Sequence, residues 1–324
     1  MKILFATYPM AFHTPGGGEI QLLAYKHALE RKGIKVDLMN LWEPKFLDYD
    51  VVHFFSCMGG SVHFCNFIKK LGLPLVISSS LWMTPETKHL YPSDEIRSQL
   101  SLADVVVTNS ELESDALSEV LSLPREIFSA VYNGVDDIFF EDKPDPSIFR
   151  KKFEFTDDFI LNVANIEPRK NQLNLVKAMT AFPDKKLVLI GHIRNQDYYD
   201  EVMSLKNSHQ VHYVGPLEHH SEMLRSAYQA CELFCLPSTL ETPGLAALEA
   251  RAQDVKLVVT SEGSTKEYFS ENAFYCDFDS VEDILNKISR CLNSEKVLND
   301  NEKVYNWPSA TNSLVDIYRK LKRD

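Results

Sequence analysis

No two cysteines in this sequence form a C-x-x-C pair: Cys57, Cys65, Cys231, Cys235, Cys276 and Cys291 are scattered, most of them among apolar neighbours. The expectation is six buried thiols in a reducing cytoplasm. Long apolar runs are missing as well, and none approaches the roughly 18 residues that a membrane span needs. Basic charge is short. The chain has 34 Lys and Arg against 46 Asp and Glu, for a net charge of −12. The deficit is spread, with 13 basic against 20 acidic residues over 1–150 and 21 against 26 over the rest. General affinity for nucleic acid or anionic lipid is therefore not expected, and a local basic patch would act against the field of the whole. A secretory leader is not expected either. The apolar run Ile3-Leu4-Phe5-Ala6 is cut short by Pro9, His13 and a glycine cluster, and reads as a first strand.

What is present is ordinary globular material, 44% hydrophobic and 25% charged. A chain of 324 residues is long for one core and comfortable for two. Short apolar runs at 3–8, 36–41, 51–55, 75–79 and 105–108 have the look of strands buried on both faces of a parallel sheet. Residues 20–31 place Ile20, Leu23, Ala24, His27 and Ala28 on one helical face, and Gly33 closes that helix. The pattern lapses at 131–146. There Asn133-Gly134-Val135-Asp136 reads as a turn, and the charged, proline-bearing stretch 141–146 reads as a linker. A second alternating series follows, with strands at 159–163, 187–190, 211–214, 233–236 and 257–260 and helices at 173–179, 222–229 and 245–252. The fold class predicted is α/β, two doubly wound Rossmann-like domains, with ligands at the carboxyl ends of the strands.

Three segments carry residues suited to chemistry. Pro15-Gly16-Gly17-Gly18-Glu19 is a glycine turn feeding a helix, where bare backbone and a helix N-terminus favour an anion. It is neither a Walker A loop nor the spaced G-x-G-x-x-G fingerprint, and a plain tight turn is the competing reading. Asn165-Ile166-Glu167-Pro168-Arg169-Lys170-Asn171 follows the second domain's first strand and puts two cations at its carboxyl end; a solvated loop is the alternative there. In Pro237-Ser238-Thr239-Leu240-Glu241-Thr242-Pro243-Gly244-Leu245, Glu241 precedes a helix, and Glu249 lies within that helix four residues after Leu245. Glu249 thus shares the side of Leu245, where a carboxylate suits the paired hydroxyls of a ribose, or else is a solvated helix glutamate.

Glu241 and Glu249 form an E-x7-E spacing behind a Pro-Ser strand end, and this resembles the donor-site signature of the retaining GT-B glycosyltransferases of family 4. The order of the other pieces is similar: Gly16-Gly17-Gly18, Asn133-Gly134-Val135-Asp136, Ile166 to Asn171, and Gly263-Ser264-Thr265-Lys266-Glu267-Tyr268 after the next strand. Residues 307–321 look like that family's closing helix. The resemblance covers almost the whole chain, strongly in the second domain and loosely in the first.

The resemblance implies two domains facing each other across a cleft: 1–145 on the acceptor side, 146–305 binding the donor, and 306–324 crossing back to the first. It implies a transfer of sugar from a UDP- or GDP-linked donor to a glycan or lipid-linked acceptor, in cell-surface polysaccharide or glycoconjugate synthesis. Lys170, Glu241 and Arg169 would be the catalytic set. Gly17, Gly18, Asn165, Gly191, Leu217, Gly244, Leu245 and Glu249 would bind the donor. Glu249 would take the ribose hydroxyls, Glu241 the sugar hydroxyls, Lys170 the pyrophosphate, and backbone at 215–217 the base. No metal, other cofactor or nucleic acid is expected, and the location implied is cytoplasmic with at most peripheral contact at the inner membrane face. Two departures stand out: Asn165 replaces the family's arginine, and residues 75–80 hold serines where the family has a histidine.

Other readings compete. Asp48-Tyr49-Asp50 and Asp277-Phe278-Asp279 match the Asp-x-Asp of metal-dependent GT-A transferases, but both fall at element ends, where capping explains them. His219-His220 reads as a polar turn more readily than as a ligand pair. A degenerate GT-B protein that binds a nucleotide sugar or a partner without turnover shares the signature, as does a GT-B epimerase.

Overall fold

The structure is a computed structural model that describes residues 1–13, 16–58, 60–205, 210–295 and 305–322. Pro15, in the expected glycine turn, lies outside the described residues. The chain divides into two compact units, Met1–Gly134 with Tyr305–Asp324, and Val135–Val304.

The first unit is built on β1 (Lys2–Thr7), β2 (Lys35–Leu38), β3 (Val51–Phe55), β4 (Leu75–Ser78), β5 (Val105–Thr108) and β6 (Phe128–Ala130). They form one sheet in the order β2-β1-β3-β4-β5-β6, and every pairing is parallel. Leu4, Val52, Ile77 and Val106 are fully buried in one core cluster, as strands covered on both faces require. The expected strand at 36–41 ends earlier, at Leu38, beyond which Leu41 and Trp42 are exposed. The helix expected over 20–31 begins earlier, at Gly17, because the Glu19 carboxylate accepts from the Gly16 N–H at 2.7 Å and so satisfies a donor at its start.

The helix Trp307–Leu321 packs on this same unit. The Trp307 ring meets Tyr25 edge-on at 5.4 Å, and Tyr318 Oη lies 2.6 Å from His53 Nδ1. Ser78 Oγ takes the other His53 nitrogen at 2.8 Å. Buried and doubly hydrogen-bonded, that imidazole is pushed down to about 3 by desolvation and stays neutral.

The second unit carries β7 (Phe159–Val163), β8 (Lys186–Ile190), β9 (Val211–Gly215), β10 (Leu233–Leu236), β11 (Leu257–Thr260) and β12 (Phe274–Cys276), again all parallel, in the order β12-β11-β10-β7-β8-β9. Strand order reverses between β7 and β10, where Leu233 is in register with Ile160. The crevice beyond the carboxyl ends of such a pair is where doubly wound sheets bind ligands. The division between units falls after Gly134, ahead of the expected 145. The physical reason is that the residues just ahead of the linker-like stretch are packed on the second unit: Phe139 is fully buried against the rings of His219 and Tyr228, and Gln253 Nε2 donates to the carbonyls of Phe139 and Asp142 at 2.6 and 2.9 Å.

Five of the six cysteines are buried, Cys231 is partly so, and all are free thiols. Among the described residues no helix is long and apolar enough to cross a membrane.

Candidate active site

The chain leaves β7 through Ala164 and Asn165 and enters a 3-10 turn, Pro168–Lys170, which Asn171 ends in the left-handed region (φ 58°). Asn171 is suited to that backbone and braces it, its amide donating to the carbonyls of Pro237 (2.9 Å) and Phe278 (2.7 Å). The buried Gln172 donates from Nε2 to the Asn165 carbonyl at 3.0 Å. The loop after β7 is thereby tied to the strand ends beside it, and Lys170 is held in a fixed direction.

That direction is toward Glu241, which follows β10. Lys170 Nζ donates to Glu241 Oε1 at 2.5 Å, with the side chains 12% and 6% exposed. Arg169, half exposed, lies 4.0 Å from the same oxygen and donates to the Leu240 carbonyl at 3.3 Å. Burial acts to raise the Glu241 carboxyl, but Lys170 and Arg169 outweigh it and hold the group below the usual carboxylate range. Burial pulls the Lys170 ammonium down, opposed by Glu241. Two cations thus converge on one buried anion at the switch point of the sheet.

The backbone around Glu241 is tightly specified. Glu241 bridges Gly263, whose absent Cβ would sit 2.1 Å from the Glu241 carbonyl oxygen. Gly244 has φ 88° and opens the helix Leu245–Ala252, so its N–H and that of Leu245 lie at the positive end of the helix. Within the helix Glu249 is 5% exposed, which removes the solvated-helix reading. Its Oε2 accepts from Tyr228 Oη at 2.9 Å and its Oε1 lies 2.6 Å from His219 Nε2. Burial opposes a charge on His219, but Glu249 and Asp136 outweigh it and raise its pKa. Burial and Glu249 push the Tyr228 phenol well up.

The structure therefore brings Lys170, Arg169, Glu241 and Gly244 together at the ends of β7 and β10, with Leu245 and Glu249 on the helix that follows. Asn165 is half-buried in the loop after β7, and Leu217 is half-buried just after β9. Gly191 sits at the end of β8, and its lack of a side chain is explained by packing: a Cβ would lie 1.9 Å from the Ala164 carbonyl oxygen. His219 and Tyr228, the partners of Glu249, were not singled out from sequence as site residues. His219 does lie in a turn, as expected, and Tyr228 reads as a buried helix aromatic, so no motif marked either one.

In the first unit, Gly17 and Gly18 begin the first helix, and a Cβ on either would meet open space. Packing does not require those glycines. Gly18 lines a pocket of ≈ 410 Å³ with Tyr8, Ser56, Ser79 and Ser80, at the ends of β1, β3 and β4. Where the family's histidine would stand, Ser79 Oγ donates to the buried Glu113 at 2.6 Å and Ser80 Oγ to Gln21 at 3.1 Å. Neither Asp-x-Asp segment forms a cation cluster among the described residues: Asp50 accepts from the Lys2 N–H at 2.7 Å, and Asp277 from the Asp279 N–H at 3.0 Å.

A family model described as Glycosyl transferases group 1 matches residues 145–306. An uncharacterized glycosyltransferase of Methanocaldococcus jannaschii is 24% identical over 302 residues, which take in 84% of this chain and 75% of that protein. Sucrose-phosphate synthase from Thermosynechococcus elongatus superposes with a TM-score of 0.82 at 17% identity, over 99% of both chains. The Anabaena protein HepE, crystallised in complex with UDP-glucose, does so with a TM-score of 0.74 at 20% identity, over 99% of this chain and 98% of that one.

Proposed function

Since the chain belongs to the group 1 glycosyl transferases and has their two-sheet GT-B fold, we propose that it is a retaining, family 4 transferase that takes a sugar from a UDP- or GDP-linked donor. The observation that carries this reading is the convergence of Lys170 and Arg169 on the buried Glu241, beside the helix N-terminus at Gly244. The HepE complex with UDP-glucose supports a uridine donor. The acceptor is a glycan or lipid-linked glycan of cell-surface polysaccharide synthesis, held by the first unit, whose Gly17 and Gly18 are kept for the donor. The setting is the cytoplasm, at most peripheral at the inner membrane face.

In this proposal Glu249 accepts hydrogen bonds from the ribose hydroxyls. A carboxylate has about four acceptor sites, so its bonds to Tyr228 and His219 leave capacity for them. Glu241 holds hydroxyls of the donor sugar, and backbone near Leu217 edges the base. As the sugar–phosphate bond breaks, negative charge gathers on the departing diphosphate. Lys170 and the N–H groups of Gly244 and Leu245 favour that charge more in the transition state than in the bound donor. Those fixed groups supply the positive field without a metal, so no cofactor is assigned. Retention places the acceptor hydroxyl on the face from which the diphosphate leaves.

The test is single-turnover transfer over a panel of UDP-, GDP- and ADP-sugars in excess chelator, with the anomeric configuration of the product determined. Retained product without metal is expected; inverted product, or a strict need for magnesium or manganese, overturns the mechanism. A second reading, donor binding without turnover, is favoured by Asn165 standing where the family has an arginine. Nucleotide binding with no transfer to any acceptor and no donor hydrolysis would select it.

A further inference from the structure

Asp136, His219 and His220 meet on the second unit, each offering one ligating atom, and the three atoms lie within 4.8 Å of one another. The donor reading uses none of them to contact substrate. The two histidines form the turn ahead of the helix Glu222–Ala230, with their rings 4.5 Å apart. Asp136 stands just before the short helix Ile138–Glu141, and its Oδ2 is 2.9 Å from His220 Nε2. The turn is braced. Arg225, held by Asp142 at 2.6 Å, donates to the His220 carbonyl at 2.6 Å, and the Phe139 ring packs 5.6 Å from that of His219. His220 is exposed while Asp136 and His219 are half-buried, so an ion can enter from solvent.

We propose that Asp136, His219 and His220 bind a divalent transition-metal ion of the zinc class, with an open coordination position toward solvent. Two imidazoles and one carboxylate are a donor set that suits zinc, nickel or copper and is too nitrogen-rich for magnesium or calcium. Metal–ligand bonds of about 2.0–2.2 Å put tetrahedral ligands about 3.4 Å apart. The widest pair here, at most 4.8 Å, closes that gap with small side-chain rotations. The second observation is Glu249, whose Oε1 holds one nitrogen of His219 at 2.6 Å. Histidine ligands are characteristically oriented this way, one nitrogen on the metal and the other donating to a carboxylate. With His219 Nδ1 on the ion, its Nε2 is fixed as a hydrogen-bond donor to Glu249, which links the metal site to the carboxylate assigned to the ribose. The existence of the site does not depend on that assignment, and the ion takes no part in the transfer step.

Calorimetric titration of the nucleotide-free protein with Zn²⁺, paired with the visible spectrum on adding Co²⁺, tests the proposal. One ion per chain is expected, with affinity reduced about tenfold or more by His220→Ala and by Asp136→Asn. Glu249→Gln should weaken binding by about tenfold through His219, as loss of a supporting carboxylate commonly does. Equal stoichiometry and affinity in the His220→Ala/Asp136→Asn double variant would place the ion elsewhere and overturn the proposal, as would no binding up to millimolar ion. Anomalous scattering from unmutated crystals soaked in Zn²⁺ needs no variant: a peak among the three residues supports the site, and peaks only at other positions overturn it.

Discussion

Lys170 Nζ and Glu241 Oε1 lie 2.5 Å apart although 71 positions separate them along the chain. Each hangs from a short loop beyond one of the two strands at which the order of the second sheet reverses, so sheet topology rather than sequence proximity makes the pair. Either partner alone would be a buried, uncompensated charge, which is why removing one has consequences beyond the contact itself.

Lys170→Ala is expected to lower single-turnover transfer by roughly 10²–10³-fold, by analogy with loss of one oxyanion-hole donor, while weakening donor binding far less. Without its counter-charge, the buried Glu241 should also lose the influence that holds its pKa down, and the second unit should melt earlier. Rapid-quench turnover beside nucleotide calorimetry separates the two effects. Full turnover in the variant would remove Lys170 from the mechanism.

Glu249→Ala should weaken UDP or GDP binding by about 1.5–3 kcal/mol, the worth of charge-assisted bonds to a ribose. Calorimetry in excess chelator reads the change, and circular dichroism checks that the fold survives the loss of an acceptor for Tyr228 and His219. Parental affinity in this variant would leave Glu249 as a structural acceptor only.

Asn165→Arg should leave activity unchanged or raise it, since Asn165 is half-buried in the loop that carries the cation pair, and its backbone carbonyl accepts from Gln172. Initial rates with the best donor on the panel are the measure. A large fall in rate would mean that the asparagine side chain itself is needed.

His53 sets an acid limit on the first unit. Its folded pKa is depressed to about 3 from the ordinary 6.5, so between those values the unfolded chain binds more protons than the folded one. Stability attributable to this group is whole above about pH 6.5, falls as pH drops through the window, and stops changing below about 3. The slope approaches about 1.4 kcal/mol per pH unit. Urea denaturation of the parent and His53→Gln between pH 4 and 7 should show a flatter profile in the variant. Identical slopes would mean that the imidazole is not kept neutral by the fold.

Much of this was legible in the sequence. The apolar runs at 159–163 and 233–236 gave strands at those residues, because double-sided burial leaves a continuous apolar signal. The E-x7-E spacing singled out Glu241 and Glu249, since both letters lie in one short segment whose backbone is tightly constrained. What stayed hidden was pairing over distance. Nothing local says that Tyr228 and His219 come to Glu249, for neither residue type is unusual in a helix or a turn. The short strands Phe128–Ala130 and Phe274–Cys276 were also missed, being only three residues each at the edges of their sheets. The linker-like stretch misled because its charges are at the surface while Phe139, just ahead of them, is fully buried.

The helix Trp307–Leu321 has a consequence for synthesis. It supplies Trp307 and Tyr318 to the core of a unit whose six strands are made before residue 135, so the ribosome has to deliver all of Val135–Val304 before that core can be finished. The second unit is contiguous, whereas the first waits for its last helix, with the faces of Tyr25 and His53 unfilled until then. A nonsense mutation near codon 305 would therefore injure the unit whose strands all lie before residue 135, and not only the residues next to the stop.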